Sequence, residues 1–444
     1  MSGYRTGRRC SSLLAGMMAV PSIALAADAA ETGEKLNYAD VGFMAFAALM
    51  VFFMTPALGF FYGGMVKRKN VLNTIMMSLA AIGIVGLQWI LFGYSLSFGS
   101  DVGGVIGGLQ WLGFSGVGLA ANADLCATIP HIEFAIFQMM FAVITAAIIS
   151  GSIAERVNFS AYCLLIFFWT TLVYDPLCHM VWTAGGVIFN LGALDFAGGT
   201  VIHISSGVSG LVAALVLGKR RGYGTVASVP HNVPYIILGG SIVWMGWFGF
   251  NAGCALGANE VMVAAFANTA ISSMAAAAVW MLLDRIVHAQ VTLFGTVTGG
   301  IAGLVGITPA AGFVEAWAAL FIGLLTSAVC FTAITFVKER LGYDDSLDAF
   351  GCHGVGGICG ALLTGVFATK SINPAGADGL LYGNAAQMIP QAVGVLTSIA
   401  VSVVMTLLIL QVIRIFVPLR VSEDVEKAGL DISQHGESAY CKLS

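Results

Sequence analysis

Between residues 41 and 416 one feature keeps returning: apolar runs of roughly 20 residues, the length that crosses a bilayer. Eleven can be placed, at 41–62, 72–98, 131–151, 160–180, 201–217, 233–250, 259–283, 289–306, 312–337, 352–368 and 388–416. Inside hydrocarbon every backbone amide must find its partner within a helix or a closed barrel. These runs are too long and too continuously apolar for the alternating strands of ~10 residues that build a barrel. The expected fold class is therefore an all-α polytopic membrane protein, with one bundle rather than soluble domains in series. Composition agrees, with 58% hydrophobic and 9% charged residues, where an ordinary soluble domain is roughly a quarter charged. A net charge of -4 gives no reason to expect a nucleic-acid partner.

The first 26 residues have another layout. Arg5, Arg8 and Arg9 precede a short apolar stretch, which ends at Ala24-Leu25-Ala26. That is the order of a cleavable secretory signal peptide, 1–26, and it puts the start of the mature chain outside. Odd-numbered spans then exit inside. Of the 16 lysines and arginines beyond residue 26, only Lys35 and Lys370 fall on the outer side, as the excess of cations in cytoplasmic loops requires. The membrane domain is expected over 27–418, with the N-terminus out. A polar tail, 419–444, is expected in the cytoplasm, either solvated or regulatory. The nine cysteines show no metal-ligand spacing and read as small core residues.

Two histidines interrupt the apolar pattern in the same way. "HISSGVSG" from His203 and "HGVGGICG" from His353 both read H-x-x-x-G-x-x-G, which places the glycines on the histidine's face of a helix and lets another backbone approach closely. The first motif opens span five and the second opens span ten. A duplicated unit of five spans inserts upside down, so the expected architecture is two inverted five-helix repeats plus an eleventh helix. His203 and His353 then meet at mid-depth, each supplying what the other needs as donor or acceptor. The bland alternative is a pair of satisfied core histidines, but intramembrane ionisable groups usually mark a pathway. An acidic residue precedes each histidine, Asp195 and Asp348, at unequal distances. His131, His179, His231 and His288 fall near span ends, where water is expected to solvate them.

The segments "FQMMF", "MVWTAGG", "LDFAGGTVIHISSG", "GWFGFNAG", "DAFGCHGVGG" and "GLDISQHGESAY" together resemble the bacterial branch of the ammonium transporter family, within the Amt/Mep/Rh superfamily. The resemblance covers essentially the whole mature chain. It implies a homotrimer in the bacterial inner membrane, with a pore in each subunit between the inverted halves. It further implies that His203 and His353 line a hydrophobic pore together with Trp247. Phe141 and Phe250 match the outer gate, Trp182 the outer ammonium recruitment site beside Phe141, and Asp195 a residue that supports that site structurally. The family usually reads "FNAGS" where this chain has "FNAGC", so Cys254 stands where a serine hydroxyl would accept a hydrogen bond, and a thiol accepts more weakly. The spacing from Trp182 to Asp195 is also one residue longer than in the best-known members. For the tail, the resemblance implies gating and docking of a PII-type signal protein.

The expected function is recruitment of ammonium, its deprotonation near the phenylalanines, and conduction of ammonia past the histidines. A dry pore of this kind rejects potassium, which has neither a hydrogen bond to donate nor a proton to give up. The alternatives are an ammonium sensor, or a pore for another small solute such as methylammonium or carbon dioxide. No hydrolytic, redox or nucleotide-binding constellation is visible, so neither an enzyme, a cofactor nor a metal is expected.

Overall fold

The computed structural model describes residues 36–225 and 229–440; the expected signal peptide lies outside them. Among the described residues, ten helices are long and apolar enough to cross a membrane. They are α1 Tyr38–Met65, α2 Arg68–Phe98, α3 His131–Ile153, α4 Phe159–Asn190, α5 Gly199–Leu217, α6 Val233–Gly253, α7 Glu260–Val287, α9 Ala316–Leu341, α10 Phe350–Phe367 and α11 Ala385–Phe416. The run expected at 289–306 is a shorter apolar helix, α8 Leu293–Ile307. The helix starts follow from local chemistry. Asn37, Asn158, Asn232, Asn259 and Thr292 each precede a helix, and each accepts a bond from one of its first free N–H groups, as N-cap residues do.

Two of the departures from the expected boundaries have a visible local cause. The ninth helix begins at Ala316 rather than 312, because residues 308–315 form a turn around Pro309. The carbonyls of Thr308 and Pro309 instead accept from Ala197 and Phe196, at 3.2 and 3.0 Å. The fourth helix runs on to Asn190 but breaks over 183–186, where Gly185 takes a φ of +104°.

Helix α1 packs along α6, and α7 against α8 and α9; α5 and α10 cross in the middle, with α3 behind α5 and α8 behind α10. Leucine, phenylalanine and valine side chains are exposed around the outside, among them Phe46, Phe53, Leu215, Leu282 and Leu408. A surface this apolar suits lipid rather than water. One end of the bundle carries two small antiparallel hairpins, β1 Asp101–Val102 with β2 Ile106–Gly107, and β3 Ala121–Asn122 with β4 Cys126–Pro130. This is the hairpin end. The C-terminal segment lies across the other, the tail end.

Charge gathers at the tail end. Arg220 pairs with Glu155 and with Asp344, both at 2.8 Å, and all three side chains are at most 9% exposed. Burial alone would raise the two carboxyls, but the Arg220 guanidinium outweighs it and holds both below the usual carboxylate range. Arg156 is buried beside them, donating to the Asp344 carbonyl at 2.7 Å; burial pulls it down to about 10. The tail is laid over these loops. Its short helix α12, Glu423–Ala428, brings Glu426 to Arg420 at 2.8 Å. Asp431 accepts from the Asn73 backbone at 2.9 Å, Leu430 donates to the Asn70 side chain at 2.9 Å, and the Tyr440 hydroxyl meets His231 at 2.9 Å.

Candidate functional site

Helices α5 and α10 both begin with a widened π-turn, Gly199–Ile204 and Phe350–Gly354. Such turns expose backbone groups and re-aim side chains, and each of these two contains one histidine. His203 and His353, buried to 1% and 5% exposure, face each other through their Nδ1 atoms at 3.2 Å. One Nδ1 donates and the other accepts, as two neutral rings must. The Nε2 atom of His203 is buried with no partner.

The glycines of the H-x-x-x-G-x-x-G motifs explain how the rings come this close. A Cβ on Gly207 would lie 2.2 Å from the backbone nitrogen of Gly354, and one on Gly357 would lie 2.9 Å from the Gly199 carbonyl oxygen. The second glycine of each motif serves the helix behind. Gly210 lies against Ser152 of α3, and Gly360 against Gly306 of α8.

Beside the rings is a cavity of about 20 Å³, bordered by His203, His353, Trp247, Phe250 and Phe61, with Met, Leu, Ile and Val side chains completing the wall. That volume holds about one water-sized molecule. Trp247 stacks on His203 at 5.3 Å and 26°, and its Nε1 is fixed by Thr308 Oγ1 at 2.9 Å. Towards the hairpin end the stack continues through Phe250, 6.2 Å from His203, to Phe141, 4.3 Å from Phe250 at 32°. Trp182 stands edge-on to Phe141 at 6.4 Å. Its Nε1 donates to the Asp195 carbonyl at 2.8 Å, so the loop between them is closed by that bond. Cys254 follows α6 directly, and its thiol donates to the Phe250 carbonyl at 3.4 Å.

Asp195 points its carboxylate into the His203 turn. It accepts from the backbone of Gly198, Gly199 and Thr200 at 2.9, 2.6 and 2.8 Å, from Val201 at 3.4 Å, and from the Thr200 hydroxyl. The structure thus brings every sequence-expected site residue into one column, His203, His353, Trp247, Phe250, Phe141 and Trp182, with Asp195 and Cys254 at its edge.

The sequence reading missed three things. The partner of Asp195 is Asp345, not Asp348: Asp345 accepts from Phe350 and Gly351 at 2.8 and 3.4 Å. Each aspartate stands eight residues before its histidine, a spacing that was visible in the sequence. Asp348 is instead ion-paired to Lys338. Thr308, which fixes Trp247, follows a helix and carries no motif. His131 and His179 were expected in contact with water, yet they are 5% and 0% exposed. Tyr94 bonds His131 at 2.5 Å, while Asp101 and the Ser97 carbonyl hold His179 at 3.0 Å each; water is replaced by partners from the end of α2 and the hairpin after it.

The sequence profile described as the Ammonium Transporter Family matches residues 42–440. The chain is 51% identical over 405 residues to a protein named "Ammonium transporter" from Bacillus subtilis, covering 91% of this chain and 99% of that one. Among solved structures it is similar to Saccharomyces cerevisiae Mep2, at 35% identity and a TM-score of 0.81 over 88% of each chain. It is also similar to a structure described as "Sensor Amt Protein", at 28% identity and a TM-score of 0.83, over 90% of this chain and 98% of that one.

Proposed function

The chain belongs to the ammonium transporter family and is a multi-pass membrane protein; on that premise we propose that it recruits ammonium at Trp182, that the ion gives up its proton to water of the outer vestibule at the Phe141–Phe250 pair, and that ammonia passes along His203 and His353. The observation that carries this reading is the pair of facing imidazoles beside a cavity of about 20 Å³. Aromatic faces attract a cation by about 0.5–2 kcal/mol each, which gathers ammonium and potassium alike. The stacked phenyl rings then close the path to anything that keeps its charge and hydration shell. Beyond them the His203 Nε2, buried and unpartnered, offers a hydrogen bond to a small neutral molecule that potassium has no means to use.

In this reading the hairpin end is the outer face and the tail end the cytoplasm. Helices α1–α5 and α6–α10 form the inverted halves, α8 completes eleven spans, and the membrane is the bacterial inner membrane. The matched crossings support it: Gly207 and Gly210 use α10 and α3 as Gly357 and Gly360 use α5 and α8. The subunit works as a homotrimer, each copy with its own pore. The tail, bonded to the loops after α1, α3 and α5, serves as the regulatory contact, and a PII-type signal protein docks on that face. Ammonium sensing is the second reading, favoured by the likeness to the sensor structure.

The test is ammonium-driven current and internal pH in proteoliposomes, with potassium as the competitor. Wild type moves ammonium and rejects potassium. His203→Ala and His353→Ala lose rate or discrimination; if neither changes rate, selectivity or charge movement, the pore role fails and sensing takes its place.

A further inference from the structure

We infer that the cleft at the tail end is a binding site for a small polyanion, a soluble phosphate compound carrying about three negative charges. Two cavities of about 460 and 570 Å³ adjoin there, both bordered by Lys67, Glu155, Arg220, Arg221 and Gly222. Ligand pockets fall in the range of roughly 300–1,000 Å³. Six cationic side chains line the two, against three carboxylates, and the carboxylates are already engaged. Glu155 takes Arg220 at 2.8 Å, the Lys67 backbone at 2.8 Å and Asn70 at 3.0 Å. Asp348 takes Lys338 at 2.5 Å, and Glu426 takes Arg420 and the Arg221 backbone, both at 2.8 Å.

What is left over is positive. Lys69 donates to the carbonyls of Glu426 and Lys427, and no ion pair is formed by Lys67, Arg221 or Lys427 among the described residues. Lys67 and Arg221 both lie close enough to Lys69 for their charges to repel it. A cleft meant to release a cation would carry the opposite sign. An anion with several oxygens relieves the repulsion and engages the free ammonium and guanidinium groups together, the arrangement in which charge-assisted bonds are strongest.

The position gives the site a consequence, which rests on the pore reading above. Met65 and Leu347 line the cleft, and Leu347 stands six residues before His353. An occupant there lies across the tail-end mouth of the path and slows flux.

The experiment is titration calorimetry of pyrophosphate into the full chain in zwitterionic nanodiscs, at two salt concentrations. The expected result is saturable binding that weakens with salt. The double variant Lys67→Ala with Arg221→Ala loses roughly tenfold or more in affinity, while Arg221→Lys alone keeps most of it and Lys370→Ala, at the opposite end, keeps all of it. Anionic lipid in the nanodisc distinguishes the sources: unchanged affinity means a soluble ligand, whereas competition assigns the cleft to a lipid headgroup and overturns the soluble one. Absence of saturable binding, or equal affinity in the double variant, overturns the site itself. Binding is read without transport, so failure of the pore reading leaves this result standing.

Discussion

The two histidine turns have the same spacing but different anchors. At the His203 turn the Asp195 carboxylate is saturated, with four backbone N–H groups and a hydroxyl converging on it. At the His353 turn Asp345 receives two N–H groups through Oδ2, and its Oδ1 is buried without a partner. What holds that second turn is the ion network beside it, Arg220 with Glu155 and Asp344, and Lys338 with Asp348. The two turns thus share the position of the ring and differ in what fixes it, hydrogen bonds at one and ion pairs beside the other. A carboxylate fixed by neutral donors is less sensitive to salt than a set of ion pairs.

The largest effect should separate the two aspartates. Asp195→Ala strands several buried donors, each charge-assisted bond being worth about 1.5–3 kcal/mol. The folded yield and thermal midpoint in detergent should fall much further than for Asp345→Ala; equal losses would break the comparison.

Next comes Arg220→Gln, which leaves buried Glu155 without its ion pair and Asp344 with only Arg156 at 4.0 Å, at a cost of about 3–5 kcal/mol. The sign with pH is set by the carboxyls of Glu155 and Asp344, whose folded pKa values lie below the ordinary ones. Their contribution is complete above the unfolded values, about 3.9–4.3, and is lost as pH falls through the depressed folded values. Acid unfolding of wild type followed by tryptophan fluorescence should show this loss, and Arg220→Gln should flatten it.

Smaller again is the pair Gly207→Ala and Gly357→Ala. Overpacking costs about 1–3 kcal/mol, and Gly207 should be the worse, since its Cβ meets backbone at 2.2 Å rather than 2.9 Å. Identical shifts in thermal midpoint would mean the crossing relaxes symmetrically. The smallest effect belongs to Cys254→Ser, which restores a better acceptor near Trp182. Apparent ammonium affinity should tighten by under about 1 kcal/mol, and a weaker affinity would remove Cys254 from the recruitment site.

Much of this was legible in the sequence because it depends on short-range pattern. Apolar runs give the spans, since a helix in lipid has no other source of hydrogen bonds. The glycines at i+4 give the crossing of α5 and α10, and those at i+7 give the contacts with the helices behind. What stayed hidden depends on partners far along the chain. His179 looks like an interfacial histidine until Asp101, 78 positions away, is seen beside it. The π-turns have no compositional signature, because they are set by where Asp195 and Asp345 gather the backbone. Asp345 itself was passed over for Asp348, which is nearer to His353; proximity in sequence was the wrong measure, and equal spacing the right one. The tail's course over the loops could not be read from "GLDISQHGESAY", whose polarity suits solvent as well as a docked strap.

The Nδ1-to-Nδ1 contact has one more implication. A bond between two identical atoms can be made with either ring as donor. Exchanging the roles of two neutral rings takes two hydrogen moves, however: the Nδ1 hydrogen crosses over, and an Nε2 hydrogen leaves the receiving ring while the other ring gains one. The contact by itself therefore fixes neither ring as donor. What sets the rings apart is their surroundings, with Phe250 stacked on His203 and different anchors holding the two turns.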